Sequence, residues 1–343
     1  MVYTRRVSER RVTIGDVALE AGVSVATVSK VINDRWGVAE TTSERVRAVI
    51  DQLGYQSSLG AQSLRSRSTM VIGVLVVDIE PFSAELLKGV ARAIDGSGYE
   101  LVVFSGCGRA VDQVGWERRY LSRVSGTLCD GALLFSPSSV DVTFGAPVVA
   151  VDHNVGSSGL PTVDADNLNG AVIATEHLLE LGHRRIGFLA GRPDLESAHL
   201  RERGYRVALE RAGIDVDPAL IRVGGYQVDT AEDATRQLLE RDDRPTAIFA
   251  ANDVSAIAAM SVAKSIGLVV PDDLSVIGFD NVPESALSEP PLTTIHQPIQ
   301  QMGFDATKIL IRLIDGTQPV PDHTLLPTRL VVRGSCRPLE GER

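Results

Sequence analysis

The stretch VTIGDVALEAGVSVATVSKVIN at residues 12–33 predicts two short helices joined by a tight turn. Thr13 lies three residues before Asp16, which is the spacing of a capping box at a helix start. We expect this first helix to run to about Ala21. Gly22 then permits a sharp turn, and Ser24 can cap a second helix that begins at once. The segment is typical of a helix-turn-helix unit.

A third helix is predicted over Glu40–Leu53, with Gly54 ending it. Apolar residues recur at helical spacing in all three helices, so each helix has one apolar face. Packed together, these faces would form one small core from Val17, Ala18, Ala21, Val23, Val28, Val31, Ile32, Val46, Val49, Ile50 and Leu53. The first segment of the chain is therefore expected to be a three-helix domain, the head.

The second helix, predicted over Val25–Asn33, has two different faces. Val28, Val31 and Ile32 turn toward the core, and the opposite face presents Val25, Ala26, Ser29, Lys30 and Asn33. A helix with small residues at its start and one cation a turn later can enter the major groove of DNA, where thymine offers a methyl group and guanine two acceptors. Val25 and Ala26 would then read base edges, and Lys30 a guanine or a phosphate. The alternative is a small helical bundle with a solvated face.

The net charge of −10 is distributed unevenly along the 343 residues. Residues 1–67 hold 10 Lys and Arg against 7 Asp and Glu, whereas the remainder holds 24 against 37. Only the first segment therefore has the net positive charge that suits the phosphates of DNA. This asymmetry is expected of a nucleic-acid reader joined to a domain that does not bind nucleic acid.

From Met70 onward, short apolar runs alternate with amphipathic helical stretches. The predicted strands are Val71–Val77, Leu101–Phe104, Ala132–Phe135, Val148–Val151, Ile186–Leu189, Ala247–Ala250, Val276–Phe279 and Leu330–Val332. The predicted helices are Ala84–Ser97, Asp112–Arg123, Leu168–Leu181, Leu200–Ala212, Thr230–Glu240, Val254–Ile266 and Ile299–Ile314. Buried strands that alternate with helices predict an α/β fold with doubly wound parallel sheets. Because the pattern restarts near Asn167, we expect two similar lobes in this part, the body.

Polar side chains follow three of the predicted strands. Asp152, Asn252 and Asp280 each stand where an apolar run ends. Ligands bind at the carboxyl ends of strands in open parallel sheets, so these residues could converge on a hydroxyl-rich molecule. The alternative for each one is that its side chain caps the helix that follows.

The sequence contains no recognisable pattern for catalysis or metal binding. Metal-ligand spacing is absent from His153, His177, His183, His199, His296 and His323, and Cys107, Cys129 and Cys336 are far apart. We therefore expect no enzyme activity, no catalytic residue, no metal and no cofactor. No run approaches the roughly 18 apolar residues of a membrane span, and the N-terminus lacks an export signal. A cytoplasmic protein without a membrane partner is expected.

Several motifs, in order along the chain, resemble the LacI/GalR (lactose repressor/galactose repressor) family of bacterial transcriptional regulators. Besides residues 12–33 they are Leu53-Gly54-Tyr55, Leu181-Gly182-His183-Arg184-Arg185-Ile186, Ala251-Asn252-Asp253, the run from Pro271 to Asp280, and Pro290-Pro291-Leu292-Thr293-Thr294-Ile295. The resemblance extends from about Val12 to Arg333.

The resemblance implies a homodimeric repressor that binds a near-palindromic double-stranded DNA operator. Its sensor would be similar to periplasmic sugar-binding proteins, with a small-molecule effector, most simply a sugar, between two lobes. By motif position the effector contacts are Phe82, Ser83, Asp152, Arg201, Tyr226, Asn252, Asp280 and Ile299. The DNA contacts are Thr13, Ser24, Val25, Ala26, Thr27, Ser29, Lys30 and Asn33, with Ala61 and Leu64 in a hinge where Leu64 would wedge into the minor groove.

The implied domains are a head over residues 1–56, a hinge over 57–68, and an effector-binding and dimerisation body over 69–338. Within the body, the N-lobe takes about 69–166 and 297–326, and the C-lobe about 167–296 and 327–338. The stretch from Asp78 to Ser83 is one residue shorter than in the family, which commonly has Asn before the proline where this chain has Glu80. The chain also stops without leucine heptads, so a dimer rather than a tetramer is expected.

Two other classes of protein fit the sequence less well than a regulator does. A binding protein that serves a transporter would explain two lobes but not the basic head. An enzyme would need a nucleophile, a metal cluster or a cofactor motif.

Overall fold

The structure is a computed structural model that describes residues 12–32, 35–55, 68–106, 120–121, 128–137, 145–152, 159–317 and 319–339. The chain divides into two compact units, Met1–Thr69 and Met70–Arg343. None of the helices in these described ranges is long and apolar enough to cross a membrane.

The head contains the three predicted helices, α1 (Ile14–Ala21), α2 (Val25–Ile32) and α3 (Glu40–Leu53). The capping box is confirmed, because the Thr13 backbone N–H donates to the Asp16 carboxylate at 2.7 Å and the Asp16 N–H donates to the Thr13 hydroxyl at 3.3 Å. Gly22 and Gly54 end α1 and α3 in the left-handed conformation, with φ of 63° and 60°.

The three helices enclose one core. Its buried members are Val17, Ala18, Ala21, Val28, Val31, Val46 and Val49, and Val23, Ile32, Ile50 and Leu53 pack against them partly exposed. Every predicted core residue is therefore in place. Val12, Ile14, Val38 and Tyr55 also pack against this core, although the helical spacing did not predict them.

The body is built from alternating strands and helices. In chain order these are β1 (Val71–Val76), α4 (Pro81–Ile94), β2 (Glu100–Ser105), β3 (Gly131–Phe135), β4 (Val148–Val151), β5 (Thr162–Ala165), α5 (Asn167–Glu180), β6 (Ile186–Ala190), α6 (Glu196–Arg211), β7 (Ile221–Val223), α7 (Val228–Leu239), β8 (Ala247–Ala250), α8 (Asp253–Ser265), β9 (Ser275–Asp280), α9 (Pro283–Leu287), β10 (Thr293–His296), α10 (Ile299–Ile314), β11 (His323–Leu326) and β12 (Arg329–Val331). The predicted helix Asp112–Arg123 lies outside the described residues except for Tyr120 and Leu121, which are helical.

The described strands form two six-stranded sheets, one for each lobe. The first lobe has the order β11-β5-β4-β3-β1-β2, and the second has β12-β10-β9-β8-β6-β7. The first sheet is parallel throughout. In the second sheet β12 runs antiparallel to β10, an edge pairing that the alternation of strands and helices did not predict. After β10 the chain returns to the first lobe for α10 and β11, then contributes β12 to the second.

Helices α4 and α10 pack closely in the first lobe, and two glycines allow the approach. A Cβ atom at Gly89 would lie 2.0 Å from the carbonyl oxygen of Gln300, and one at Gly303 would lie 2.3 Å from the carbonyl oxygen of Leu86. Both contacts are with backbone, which cannot swing aside as a side chain can. The two helices therefore hold one fixed spacing over the first sheet.

Candidate functional site

The exposed face of α2 is the candidate DNA-binding surface of the head. Val28 and Val31 are buried, whereas Val25, Ala26 and Lys30 are exposed, as the division into two faces predicts. Lys30 stands one turn after the small residues. This arrangement fits a helix that enters the major groove, and the contacts to DNA remain predictions.

Two other predicted DNA contacts make hydrogen bonds within the head. The Ser24 hydroxyl accepts from the Thr27 N–H at 3.1 Å and lies 2.9 Å from the Thr27 hydroxyl. The Ser24 side chain thus caps the start of α2, and Thr13 caps α1. Ser29 is half-buried. Asn33, Ala61 and Leu64, together with the hinge at 57–67, lie outside the described residues.

The candidate effector site is a cavity of about 460 Å³ in the body, within the range of small-molecule pockets. Residues that follow strands of both sheets line it: Asp78 after β1, Ser136 after β3, Asp152 after β4, Asn252 after β8, and Asp280 at the end of β9. The cavity therefore lies at the carboxyl ends of strands from both lobes, where open parallel sheets bind ligands.

Seven of the eight predicted effector residues line this cavity, namely Phe82, Ser83, Asp152, Arg201, Tyr226, Asn252 and Asp280. Ile299 is the exception, because it is not among the lining residues. It is 4% exposed and packs in the apolar core of the first lobe, with Phe82 and Met302. A branched apolar side chain suits that core, and a contact of Ile299 with the effector stays a prediction.

The cavity also contains residues that the sequence reading did not predict, among them Asp78, Glu80, Ser136, Arg192, Ser197 and Gln227. The rule that found Asp152 would have found Ser136 and Asp78, since each follows a strand. Ser197 lies at the start of α6, and no local pattern points to it.

Arg201, on α6, is buried at the base of the cavity and holds its polar residues together. Its Nε donates to Asn167 at 2.9 Å, and one terminal nitrogen donates to the Ala251 carbonyl and lies 3.3 Å from Asp280. Its guanidinium carbon is 3.9 Å from the centre of the Phe279 ring, a cation–π contact. The charge is thus paired, hydrogen-bonded and stacked, as a buried arginine requires.

The strand-end residues differ in whether they cap a helix. Asn252 does so, because its side chain accepts from the Ser255 N–H at 2.9 Å at the start of α8. Asp280 instead accepts from Arg201 and, at 2.6 Å, from the Gln297 amide. Asp152 accepts from the hydroxyls of Ser136 at 3.0 Å and Ser197 at 3.2 Å. Asn252 therefore both caps a helix and lines the cavity. Asp152 and Asp280 instead accept hydrogen bonds from side chains distant in sequence.

Burial makes the carboxyl groups of the cavity hard to ionise. It raises the pKa of Glu80 to about 7, with further increases from Asp280, Asp78 and Asp152, while a 3.4 Å hydrogen bond from Ser83 opposes the shift. Burial also raises the pKa values of Asp152 and Asp280, and Arg201 counteracts both. Because its pKa is about 7, Glu80 can either donate or accept a hydrogen bond near neutral pH.

The backbone around the cavity is strained. Among the described residues six that are not glycine have positive φ, and four of them line the cavity: Ser136, Asp152, Tyr226 and Asp280. Such conformations cost on the order of 1–3 kcal/mol each and cluster at binding sites. In the described part of the chain no group of three or more His, Cys, Asp or Glu residues could hold a metal ion. The strained positions place four polar side chains at the cavity wall.

Comparison with known proteins identifies the family. The model of the bacterial regulatory proteins, lacI family, matches residues 13–58, and that of the periplasmic binding protein-like domain matches residues 175–336. The chain is 36% identical over 338 residues to the HTH-type transcriptional repressor CytR of Escherichia coli (strain K12), covering 96% of this chain and 98% of CytR. The chain belongs to the LacI family. This LacI-family protein is therefore a DNA-binding transcriptional regulator.

Solved structures resemble this LacI-family regulator over nearly its whole length. The lac repressor dimer bound to operator and the anti-inducer ONPF has a TM-score of 0.80 at 29% identity, covering 96% of this chain and 100% of that one. The complex of the transcriptional regulator CelR with cellobiose has a TM-score of 0.71 at 33% identity, covering 95% and 100%. The helix-turn-helix head and the two-lobed body predicted from sequence are confirmed.

The raised pKa of Glu80 predicts a pH-dependent stability for the LacI-family regulator without ligand. Between the ordinary pKa of 4.5 and about 7, Glu80 ionises in the unfolded chain but stays protonated in the folded one. The folded state then binds more protons, so the free energy of unfolding falls as pH rises, by up to about 1.4 kcal/mol per pH unit. Above the folded pKa the loss is complete.

Urea unfolding of wild type and Glu80→Gln across about pH 5 to 8 checks this prediction. Wild type should lose stability relative to Glu80→Gln as pH rises through this window. Glu100→Gln, at an exposed position outside the cavity, supplies the baseline. A difference in unfolding free energy between wild type and Glu80→Gln that stays constant over this pH range would contradict the raised pKa of Glu80.

Proposed function

We propose that this LacI-family regulator is a repressor whose affinity for operator DNA is controlled by a sugar bound in the cavity of the body. The observation that carries the proposal is the convergence of Asp152, Asn252, Asp280 and Arg201 on one cavity lined by both lobes. Carboxylates, amides and guanidinium groups suit the hydroxyls of a sugar. The CelR structure with cellobiose supports the ligand class.

We also propose that the regulator acts as a homodimer on a near-palindromic site, as the lac repressor dimer bound to operator suggests. Two α2 helices would then read the two half-sites, with Val25, Ala26 and Lys30 at the bases or phosphates. We propose residues 1–56, 57–68 and 69–338 as head, hinge and body. The protein would work in the cytoplasm, where chromosomal DNA lies, and would not be an enzyme.

Control by a ligand follows from the position of the cavity. A molecule that contacts both lobes binds one arrangement of the lobes better than another, and so shifts their equilibrium. Coupling of about 1–3 kcal/mol between ligand and DNA sites changes DNA affinity by about 5- to 150-fold. The strained residues at the cavity wall belong to both lobes, which fits a site whose shape depends on lobe arrangement.

The proposal is tested in two steps with the full chain. Selection from random DNA gives a binding site, and a thermal-shift screen of sugars and nucleosides gives ligands, since a molecule that binds only the folded state raises the unfolding temperature. The affinity for the selected DNA is then measured with and without each ligand. A ligand that stabilises the body but leaves DNA affinity unchanged would contradict effector control.

Lys30→Ala is expected to weaken binding to the selected DNA site. The loss should be about 1–3 kcal/mol if Lys30 reads a guanine, with most of it confined to the specific site. If Lys30 contacts only phosphate, binding should fall for all sequences and the salt slope should drop by about one. Fluorescence anisotropy over a range of salt concentrations, with specific and non-specific DNA, distinguishes a guanine contact from a phosphate contact.

Lys264→Ala is the matched control, because Lys264 is an exposed lysine of α8 in the body. It removes the same charge without touching the α2 surface and should leave DNA binding unchanged. Equal affinity of Lys30→Ala and wild type at every salt concentration would remove Lys30 from the DNA interface.

A further inference from the structure

Carboxyl groups outnumber guanidinium groups in the cavity wall. Glu80, Asp152 and Asp280 line it, and the exposed Asp78 stands at its edge. Glu80 is the last residue before α4 and is partly buried. Its one described hydrogen bond is the long one from Ser83, at 3.4 Å.

The two arginines of the wall are already engaged. Arg201 binds Asp280, Asn167 and the Ala251 carbonyl, and it stacks on Phe279. Arg192 makes two hydrogen bonds to Asp194, at 3.1 and 2.6 Å. Among the described residues that line the cavity, none therefore supplies a cation to Glu80. A negative group in a partly buried cavity favours a ligand that brings the opposite charge.

A second feature of the same wall is a buried hydroxyl group. Tyr226 lines the cavity, and its hydroxyl is buried without a hydrogen-bond partner among the described residues. The Ser197 hydroxyl lies close enough to lower the Tyr226 pKa, but its single proton is donated to Asp152. A buried hydroxyl without a partner costs about 1–3 kcal/mol, so a polar atom of a ligand is expected beside it.

We propose that the effector is an amino sugar whose protonated amine is recognised by the Glu80 carboxylate. The inference rests on the proposed function, because it assumes that the cavity holds the effector. The hydroxyls of the sugar would bind Asp152, Asn252 and Asp280, and one of its polar atoms would bind the Tyr226 hydroxyl. An ammonium beside Glu80 also favours its ionised form, which offsets the repulsion from Asp78, Asp152 and Asp280.

Matched pairs of sugars test the inference. Calorimetry at neutral pH compares glucosamine with glucose, galactosamine with galactose, mannosamine with mannose, and the β-1,4-linked dimer of glucosamine with cellobiose. Each neutral partner has a hydroxyl where the other has an amine. For at least one pair the full chain should bind the amine roughly 10- to 100-fold more tightly, the range expected of a hydrogen bond to a charged group.

Glu80→Gln assigns that preference to one residue. The variant keeps the size of the side chain but removes the charge, so the ratio of amine affinity to neutral-sugar affinity should fall at least roughly tenfold. Glu100→Gln, also in the first lobe but exposed and outside the cavity, should keep the wild-type preference. Thermal unfolding of both variants checks that they are folded.

Three results would overturn the inference: binding by none of the amines, equal or tighter binding by the neutral partners, or an amine preference that survives in Glu80→Gln. The proposed function is judged separately. If a neutral sugar or a nucleoside binds and changes DNA affinity, effector control stands and only the recognition of an amine fails. If ligands bind without changing DNA affinity, effector control fails whatever their charge.

Discussion

Arg201→Met is expected to lower the free energy of unfolding of the body by about 3–5 kcal/mol and to eliminate effector binding. Methionine keeps much of the length of the side chain but supplies no charge and no donor. The variant would leave Asp280 without its cation and remove donors from Asn167 and the Ala251 carbonyl, all of them buried. DNA binding should stay near normal, since α2 belongs to the other compact unit.

The loss of unfolding free energy in Arg201→Met should depend on pH, through the protonation state of Asp280. Protonation of Asp280 removes the need for a cation, so Arg201→Met should cost less at low pH than at high pH. For the same reason it should cost less in an Asp280→Asn background, which a double-mutant cycle measures. Arg203→Met, at an exposed position of the same helix, is the control. Equal costs in both backgrounds would show that Arg201 does not stabilise the body through Asp280.

Gly89→Ala is expected to destabilise the first lobe by about 1–3 kcal/mol, the range for overpacking a close contact. The added methyl group would lie 2.0 Å from the Gln300 carbonyl oxygen, so α4 and α10 would have to separate. Helix propensity predicts the opposite sign, because alanine stabilises a helix interior relative to glycine by about 0.8–1 kcal/mol. Chemical unfolding of the two proteins decides between these effects.

Ala91→Gly measures the propensity contribution on the same helix, because Ala91 is exposed two residues further along α4. It should destabilise by about 0.5–1 kcal/mol. A Gly89→Ala variant more stable than wild type would mean that α10 can move away from α4 at little cost, and that the glycine is not required for helix spacing.

The sequence was most informative where structure depends on near neighbours. Thr13 and Asp16 predicted a cap, Gly22 and Gly54 predicted helix ends, and helical spacing predicted the core of the head, because each of these depends on residues within a few positions. Continuous apolar runs predicted β1, β3, β4, β6, β8 and β9, each of which is buried along its whole length. Polar residues after such runs predicted Asp152, Asn252 and Asp280.

The strands that were missed lack such a run. β7 and β11 are short, partly exposed edge strands, so they need little apolar sequence. β5, next to β11, has four residues, of which only Val163 and Ala165 are apolar. β10 is buried, but it contains Thr293 and Thr294, whose polar groups are satisfied by distant partners. Thr294 donates to Asp253, and Thr293 accepts from the Arg333 N–H at 2.9 Å. Threonine is polar, so the sequence alone does not predict its burial. Hydrogen bonds with distant residues satisfy its hydroxyl group and allow it to lie in the core.

By itself, the sequence determined the helix-turn-helix head, the two α/β lobes and the strand ends where a ligand would bind, because these follow from periodicity, caps and charge. The tertiary structure alone decided that β12 runs antiparallel, that Ile299 lies in the core, and that Glu80 and Ser197 join Asp152 at one cavity. Those facts depend on which distant segments meet and on what solvent and charge surround them. The excess of carboxyl groups in the cavity is such a property, since the same residues spread along an extended chain would be solvated separately and would not repel one another.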